Sequence, residues 1–392
     1  MKKLFTIALL MGITALPLMA EGNETSEFEP NGTPGGGFLT DMLNNSLEQA
    51  FEKQETKEEK PTLGRTLKDY VSAPKFGGYY IGKYGYSSAD GANNGDGFSQ
   101  RMIRAYVDGT ILTDFKYRIQ VQINNANFHV KDVFIEWARW KEFSVKLGQY
   151  KRAFTFENPY NPWDVGAGDY AQITRMIAGT GVTENGVANG GRDQGLQIQG
   201  DLFPAPSDGH RYLHYQFQVM NGQGINSADK NKRKDFIGTI QFQPIKDLFI
   251  GVFGWNGNYV TPNGLELERK RWAAGLKYEH NAWTVRAEYT HSCGHEASDY
   301  DEKTKTWNGT GKADGWYAMV GVPFNSWLKV YVKYDVFRSQ ATWGSSKSMY
   351  SVIPNIQLHK NLLFQLQYNL VNDRTLAKEN YSEVWAEAYV RF

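Results

Sequence analysis

Two sets of residues in this 392-residue chain have types and spacings that could do chemistry. The first is His291-Ser292-Cys293, with His295, Glu296 and Asp299 close behind. A serine beside two histidines is the raw material of a nucleophile and its base, and two histidines with two carboxylates are that of a surface metal site. Neither chemistry is specified: a triad needs three groups converging in space, and the spacing here is no diagnostic metal pattern. His129, His210, His214, His280 and His359 are scattered, and the glycines of 186–191 lack the strand and helix of a phosphate-binding loop. No enzymatic activity and no cofactor or metal is expected.

The second set is larger. Arg104, Lys116, Arg118, Lys146, Arg271, Lys277, Arg286, Lys329, Lys333 and Arg391 fall on the polar side of segments whose other side is apolar. So do Asp108, Asp132, Glu136, Asp193, Asp235, Glu279, Glu288, Asp335, Glu383 and Glu387. Gathered around one narrow passage, such charges act on any solute that crosses it. Paired with one another, they only stiffen a wall. Both readings stand.

The elements that must position these charges are strands. Phe115, Tyr117, Ile119, Val121 and Ile123 alternate with Lys116, Arg118, Gln120, Gln122 and Asn124, and the same period of two runs from about Lys75 to the last residue. Sixteen strands are expected, starting near Lys75, Gly97, Asp114, Val130, Phe143, Asp193, Tyr212, Lys234, Leu248, Arg269, Trp283, Asp314, Leu328, Ser348, Leu362 and Glu383. Their connections alternate between tight turns, as at Asn281 and Ala282, and long polar loops, of which 152–192 is the longest. Short turns on one side and long loops on the other mark an outer-membrane barrel, and hydrocarbon tolerates no open edge, so the first strand must pair with the last. The fold expected is all-β: a closed antiparallel transmembrane barrel of about 16 strands. Trp137, Trp140, Trp283, Trp316, Trp327 and Tyr389 lie near strand ends, where interface girdles need aromatic rings.

Composition removes the alternatives. Mean hydropathy is −0.54, and beyond the first twenty positions no apolar run is long enough for a spanning helix. A single cysteine, Cys293, excludes a disulfide framework. Lys2 and Lys3 before an apolar stretch read as a signal peptide over 1–20, followed by a periplasmic extension over 21–74 and the barrel over 75–392. Within the extension, Leu39, Met42, Leu43, Leu47, Ala50 and Phe51 are expected to form one short amphipathic helix, either loosely docked in the periplasm or serving as a small coiled coil between subunits or a lumen-contacting segment. Without Lys2 and Lys3, 41 basic residues face 42 acidic ones, which argues against a nucleic-acid partner.

Several phrases in order carry a family resemblance: Phe98 to Gly109, Leu147-Gly148-Gln149-Tyr150-Lys151, the loop opening Phe154 to Pro159, Arg192-Asp193-x-Gly195 and Asn221-Gly222-x-Gly224. Together they resemble the phosphate-selective porin O and P family. The resemblance implies a trimeric sixteen-stranded channel whose third extracellular loop folds inward and narrows the pore. It also implies an assembly signal at Phe392, read by the barrel-assembly machinery, with outer-membrane lipid around the wall. The pore-lining and constriction candidates, read from strand parity and from the loop's own charges, are Arg104, Lys116, Arg118, Lys146, Arg175, Arg286, Lys329, Lys333, Glu136, Glu157 and Asp335. Arg175 with Lys116, Arg118, Lys329 and Lys333 is expected to form one side of a transverse field. The family's selectivity needs excess positive charge, whereas acids and bases balance here, so passive diffusion of small hydrophilic or anionic solutes is expected and phosphate specificity is not. The other function weighed is a surface adhesin or glycan receptor, with Trp163, Trp255, Trp307 and Trp343 as sugar-stacking platforms.

Overall fold

A computed structural model of the chain describes residues 71–90, 96–124, 127–179, 183–184, 187–188, 190–260, 264–294, 300–301, 303–304, 306–307 and 310–392. The expected signal peptide, the tether and the helix over 39–51 lie outside these residues, as do His295, Glu296 and Asp299.

Sixteen strands form one closed antiparallel barrel. In chain order they are β1 (Lys75–Ser87), β2 (Gly97–Ile111), β3 (Phe115–Asn124), β4 (Asn127–Trp137), β5 (Ser144–Lys151), β6 (Arg192–Pro204), β7 (Arg211–Met220) and β8 (Asp235–Ile245). They continue as β9 (Leu248–Val260), β10 (Glu266–His280), β11 (Trp283–Cys293), β12 (Lys312–Pro323), β13 (Leu328–Arg338), β14 (Ser346–His359), β15 (Leu362–Asp373) and β16 (Asn380–Arg391). The ring closes between β1 and β16, in register from Tyr79 opposite Arg391 to Ser87 opposite Glu383. Every strand therefore has two neighbours, and no row of backbone donors is left at an edge.

Period two converts directly into two faces. On β11, Thr284, Arg286, Glu288, Thr290 and Ser292 are buried, while Trp283 on the other face is exposed. Ile240, Ile250, Val252, Val332, Val352 and Leu366 are likewise exposed on other strands. Polar inside and apolar outside inverts the order of a soluble protein and is the order a barrel in lipid requires. Trp283 and Trp327 are half exposed at the turn end, as a girdle requires. Tyr389 is not a girdle residue: it is buried on the inner face, donates to Gln365 Oε1 at 3.1 Å and packs edge-on against Trp163.

Two irregularities break the period. Ile81 pairs with Met102 but Gly82 with Gln100, leaving Arg101 as an extra residue on β2. Val121 pairs with Val130 but Ile119 with Val133, so Lys131 and Asp132 are both accommodated on β4. Each bulge shifts the side-chain alternation of one strand against its neighbour.

Apolar packing is concentrated between the inner wall and the segment 152–191, which runs from β5 to β6. Phe154, Phe156 and Ile177 pack with Phe253, Trp255, Ile237 and Met220. Val165, Ala171 and Ile173 pack with Tyr317, Met319, Tyr331 and Ile353. Phe154 is fully buried, worth roughly 1.5–3 kcal/mol by transfer. Gly251 makes the fit possible, since a Cβ there would come within 2.6 Å of the Phe156 ring. The sequence reading of this segment as loop alone is incomplete: it contains a one-turn helix, α1 (Gln172–Met176).

Candidate functional site

The site is built from the inner faces of the strands and the loop 152–191 that rests on them. At the loop's root, Arg152 pairs with Asp193 at 3.2 Å, both without solvent exposure, and Asn158 Nδ2 donates to Arg152 O at 2.8 Å and Gly191 O at 3.2 Å. Those two bonds tie the ends of the loop together. Gln218 of β7 accepts the Ala153 amide at 2.8 Å.

Farther along, wall carboxylates hold the loop by its backbone. Glu288 on β11 accepts Phe156 N at 2.7 Å and Glu157 N at 3.1 Å, and also the Tyr317 hydroxyl at 2.7 Å. Asp335 on β13 accepts the Gln172 amide at 3.0 and 3.2 Å, satisfying a donor that the start of α1 would leave orphaned. Arg286 Nη1 donates to Val165 O at 2.9 Å, Gln365 to Gly166 O at 3.1 Å, and Gly168 N to Gln367 at 2.7 Å. Asp169 meets Arg101 at 3.6 Å and Arg175 at 3.3 Å. The loop thus touches inner-face side chains of β11, β13, β15 and β2.

Two loop carboxyls respond to this setting in opposite directions. Burial pushes the Glu157 carboxyl above its usual range, against the opposing charge of Lys333. Burial acts the same way on Asp169, but Arg175, Arg101 and Lys83 outweigh it and hold that carboxyl below the usual range.

The wall formed by β2 to β6 is different in kind. Arg104, Lys131, Lys151 and Arg192 lie within electrostatic range of one another around one acid, Asp132. Arg192 takes that acid in a two-point contact at 2.7 and 2.9 Å. Arg104 donates to the neutral Gln122 at 2.8 Å, and its Nη1 is buried without a hydrogen bond. Lys151 donates to Asn158 O, Tyr160 O and the Tyr170 hydroxyl. Arg104, Lys131 and Lys151 therefore have no carboxylate in ion-pair contact among the described residues.

Against the sequence reading, the eleven candidates separate. Lys146 meets Glu136 at 3.3 Å, Arg118 grips Asp108 at 2.7 Å through both Nε and Nη2, and Lys116 is exposed opposite Glu136 in register. Glu157 does not face water: it is fully buried and accepts the Ala171 amide at 2.7 Å. Lys333 and Asp335, 3.2 Å apart, and Arg286, paired with Glu279, are buried beneath the loop because each serves as an anchor or its counter-ion. The expected single basic side is also corrected. Lys116 and Arg118 stand on β3 and Lys329 and Lys333 on β13, with five strands between on the shorter way round, while Arg175 belongs to α1.

The sequence reading missed Arg101, Lys131 and Lys83. Arg101 and Lys131 sit at the bulges, where a rule of strict alternation fails, and Lys83 stands on the inner face of β1, 3.7 Å from Glu387. Arg269, 3.4 Å from Asp235, has the parity of Arg271 and was legible.

The other chemical readings fare as follows. Ser292 accepts from Arg271 on the inner face, whereas His291 packs on Trp272 on the outer face, so the strand itself keeps serine and histidine apart. No metal-binding group of three ligands occurs among the described residues. Trp255 is no surface platform: it is buried, bonded through Nε1 to Asp235 at 2.8 Å and flanked by Arg152 and Arg271 at 4.6 and 4.5 Å. Trp163 belongs to the inward-resting loop, and Trp343 is half exposed against Trp316.

No family model and no curated protein sequence matches this chain. Solved structures do. An anion-selective porin from Comamonas acidovorans aligns at 13% identity over 82% of this chain and 99% of its own, with a TM-score of 0.62. OmpF of Salmonella typhi, in a complex with daunomycin, aligns at 13% over 81% and 97%, TM-score 0.60. The outer-membrane channel DcaP of Acinetobacter baumannii aligns at 11% over 84% and 100%, TM-score 0.58. At such identities the likeness is one of architecture, and this chain has the sixteen-stranded barrel fold of outer-membrane porins.

Proposed function

We propose that the protein is an outer-membrane channel for passive diffusion of small hydrophilic solutes, with a preference for anions, and catalyses no reaction. One observation carries the reading: a closed barrel with an apolar outer face and a polar inner face, whose β2–β6 wall holds the Arg104 guanidinium on the neutral Gln122 beside the Arg192–Asp132 pair. In a confined, poorly screened passage, uncompensated positive charge raises the local concentration of anions. The first structural neighbour's description as anion-selective agrees with this. The loop 152–191 is the constriction, and the N-terminal segment 1–20 is the export signal. Closer kinship with the phosphate-selective porin O and P family rests on the sequence phrases alone, and phosphate specificity is not part of the proposal. A homotrimer, surrounded by outer-membrane lipid and assembled through the strand ending at Phe392, completes it.

The test is a planar-bilayer recording in a potassium chloride gradient. Steady conductance with a reversal potential on the anion side is expected, and deletion of residues 155–190 should enlarge the conductance severalfold. A folded barrel carrying no current would overturn the channel, and strong cation preference would overturn the role of the basic wall.

A further inference from the structure

Beneath the loop, on the side of the short turns, lies an open cavity of about 420 Å³ against β10 to β15. Its roof is the loop stretch that carries Tyr160, Trp163, Asp164 and Gly166, and its floor includes the turn residues Asn325 and Ser326. The volume is that of a small-molecule site.

The charges that line it are compensated with one exception. Arg286 pairs with Glu279, and Asp164 with Arg391 at 3.6 Å. Lys329 has no carboxylate within ion-pair distance among the described residues. Its Nζ donates to the Thr284 hydroxyl at 2.8 Å and lies 4.7 Å from the Tyr331 ring centre. An ammonium carries three donors, so two remain for a solute or water. Around it the lining offers the amide of Gln357, the exposed carboxylate of Asp164, and the ring surfaces of Trp163 and Tyr331. One spare positive charge, hydroxyl-binding groups and aromatic faces suit a small organic ion with one negative charge, several hydroxyls and an apolar C–H face. A neutral sugar would leave the ammonium unanswered. A doubly charged phosphate would carry one negative charge too many beside Asp164 and Glu279.

Resting on the channel reading above, we infer that this cavity is a subsite for hydroxylated monocarboxylates, such as sugar acids, with Lys329 as the carboxylate-binding group. A solute held there has passed the constriction and is positioned for release through the turn-side mouth.

Two measurements on the full-length barrel test it. Calorimetric titration of the detergent-folded protein should show galacturonate binding, with galactose and inorganic phosphate at least roughly tenfold weaker, the scale of one charge-assisted hydrogen bond. Lys329→Gln should lose that preference and Lys329→Arg should keep it. In bilayers, galacturonate should interrupt the current more strongly from the turn side than from the loop side. Equal binding of galactose and galacturonate, or undiminished galacturonate preference in a folded Lys329→Gln barrel, overturns the subsite. Selective binding in a barrel that conducts nothing would uphold the subsite and refute the channel, so the two failures are distinguishable.

Discussion

The two sides of the barrel interior have nearly the same stock of charged residues and use it differently. On β11 to β16, carboxylates are spent on fixed partners: Glu288 on two loop amides and a tyrosine, Asp335 on the α1 amide and Lys333, Glu387 on Arg101. On β2 to β6, Asp108 and Glu136 pair with Arg118 and Lys146, but Asp132 stands as the one carboxylate among Arg104, Lys131, Lys151 and Arg192. An anion neutralised by backbone N–H donors contributes little field beyond its own cradle, whereas a cation bonded to a neutral amide keeps its charge. Net charge near zero therefore conceals a polarised interior. The acids hold the constriction in place, and the buried bases of the β2–β6 wall act on a solute through their field and not by contact.

The anchoring side should break most readily at Glu288. Glu288→Ala leaves Phe156 N, Glu157 N and the Tyr317 hydroxyl without an acceptor, at roughly 1–3 kcal/mol for each buried donor. The loop should then detach, seen as trypsin cleavage within 155–190 and as larger, noisier single-channel currents. Glu288→Gln retains one carbonyl acceptor and should show a weaker form of both effects. If Glu288→Ala gave a protease-resistant loop and unaltered currents, the anchors would not be what holds it.

The basic side should answer in selectivity instead. In Arg104→Gln with Lys131→Gln, an arginine and a lysine leave the Asp132 group, and the reversal potential should move toward zero while the loop stays protease-resistant. The same pair of changes on the opposite side, at Lys333 and Arg286, should disturb loop docking first, because those residues serve Asp335, Glu279 and the Val165 carbonyl.

This division was only partly legible in the sequence. All sixteen strands are legible because period two is local, and each begins within three residues of the position read from alternation. Facing is legible for β11 and β13, which carry no bulge. It fails at Arg101 and Lys131, where an inserted residue shifts the alternation and nothing in the local sequence announces it. Pairing is the least legible. Glu157 reads as an accessible loop acid, yet the loop folds around it, and Trp255 reads as a rim aromatic, yet three arginines surround it. Both outcomes depend on contacts between residues far apart in the chain.

The two loop carboxyls sharpen the comparison through pH. Glu157 keeps its proton to higher pH in the folded barrel than in the unfolded chain, where glutamate titrates near 4.3. Folding therefore takes up a proton above the ordinary glutamate value, and the protein loses stability as pH rises from there through the raised one. Asp169 has the opposite sign: its contribution is present above the ordinary carboxylate value and is lost as pH falls through its depressed one. Glu157→Gln should accordingly gain in unfolding temperature relative to the parent as pH rises above the ordinary glutamate value, and Asp169→Asn should lose most at neutral pH and progressively less as pH falls below the ordinary carboxylate value. Parallel shifts of the two variants would refute the opposed environments.

The smallest effect belongs to a contact that looks strong on paper. Arg118 meets Asp108 through two bonds of 2.7 Å, but both side chains are about one-third exposed. Water screens such a pair and side-chain entropy opposes it, leaving about 0–1 kcal/mol. Its field is also cancelled locally, since the partner carboxylate is fixed within hydrogen-bonding distance. Arg118→Gln should therefore change neither the unfolding temperature nor the reversal potential by more than a small fraction of what the Arg104 and Lys131 changes produce. A large shift in reversal potential from Arg118→Gln would mean that paired cations still govern the solute, and the distinction between the two sides of the interior would fail.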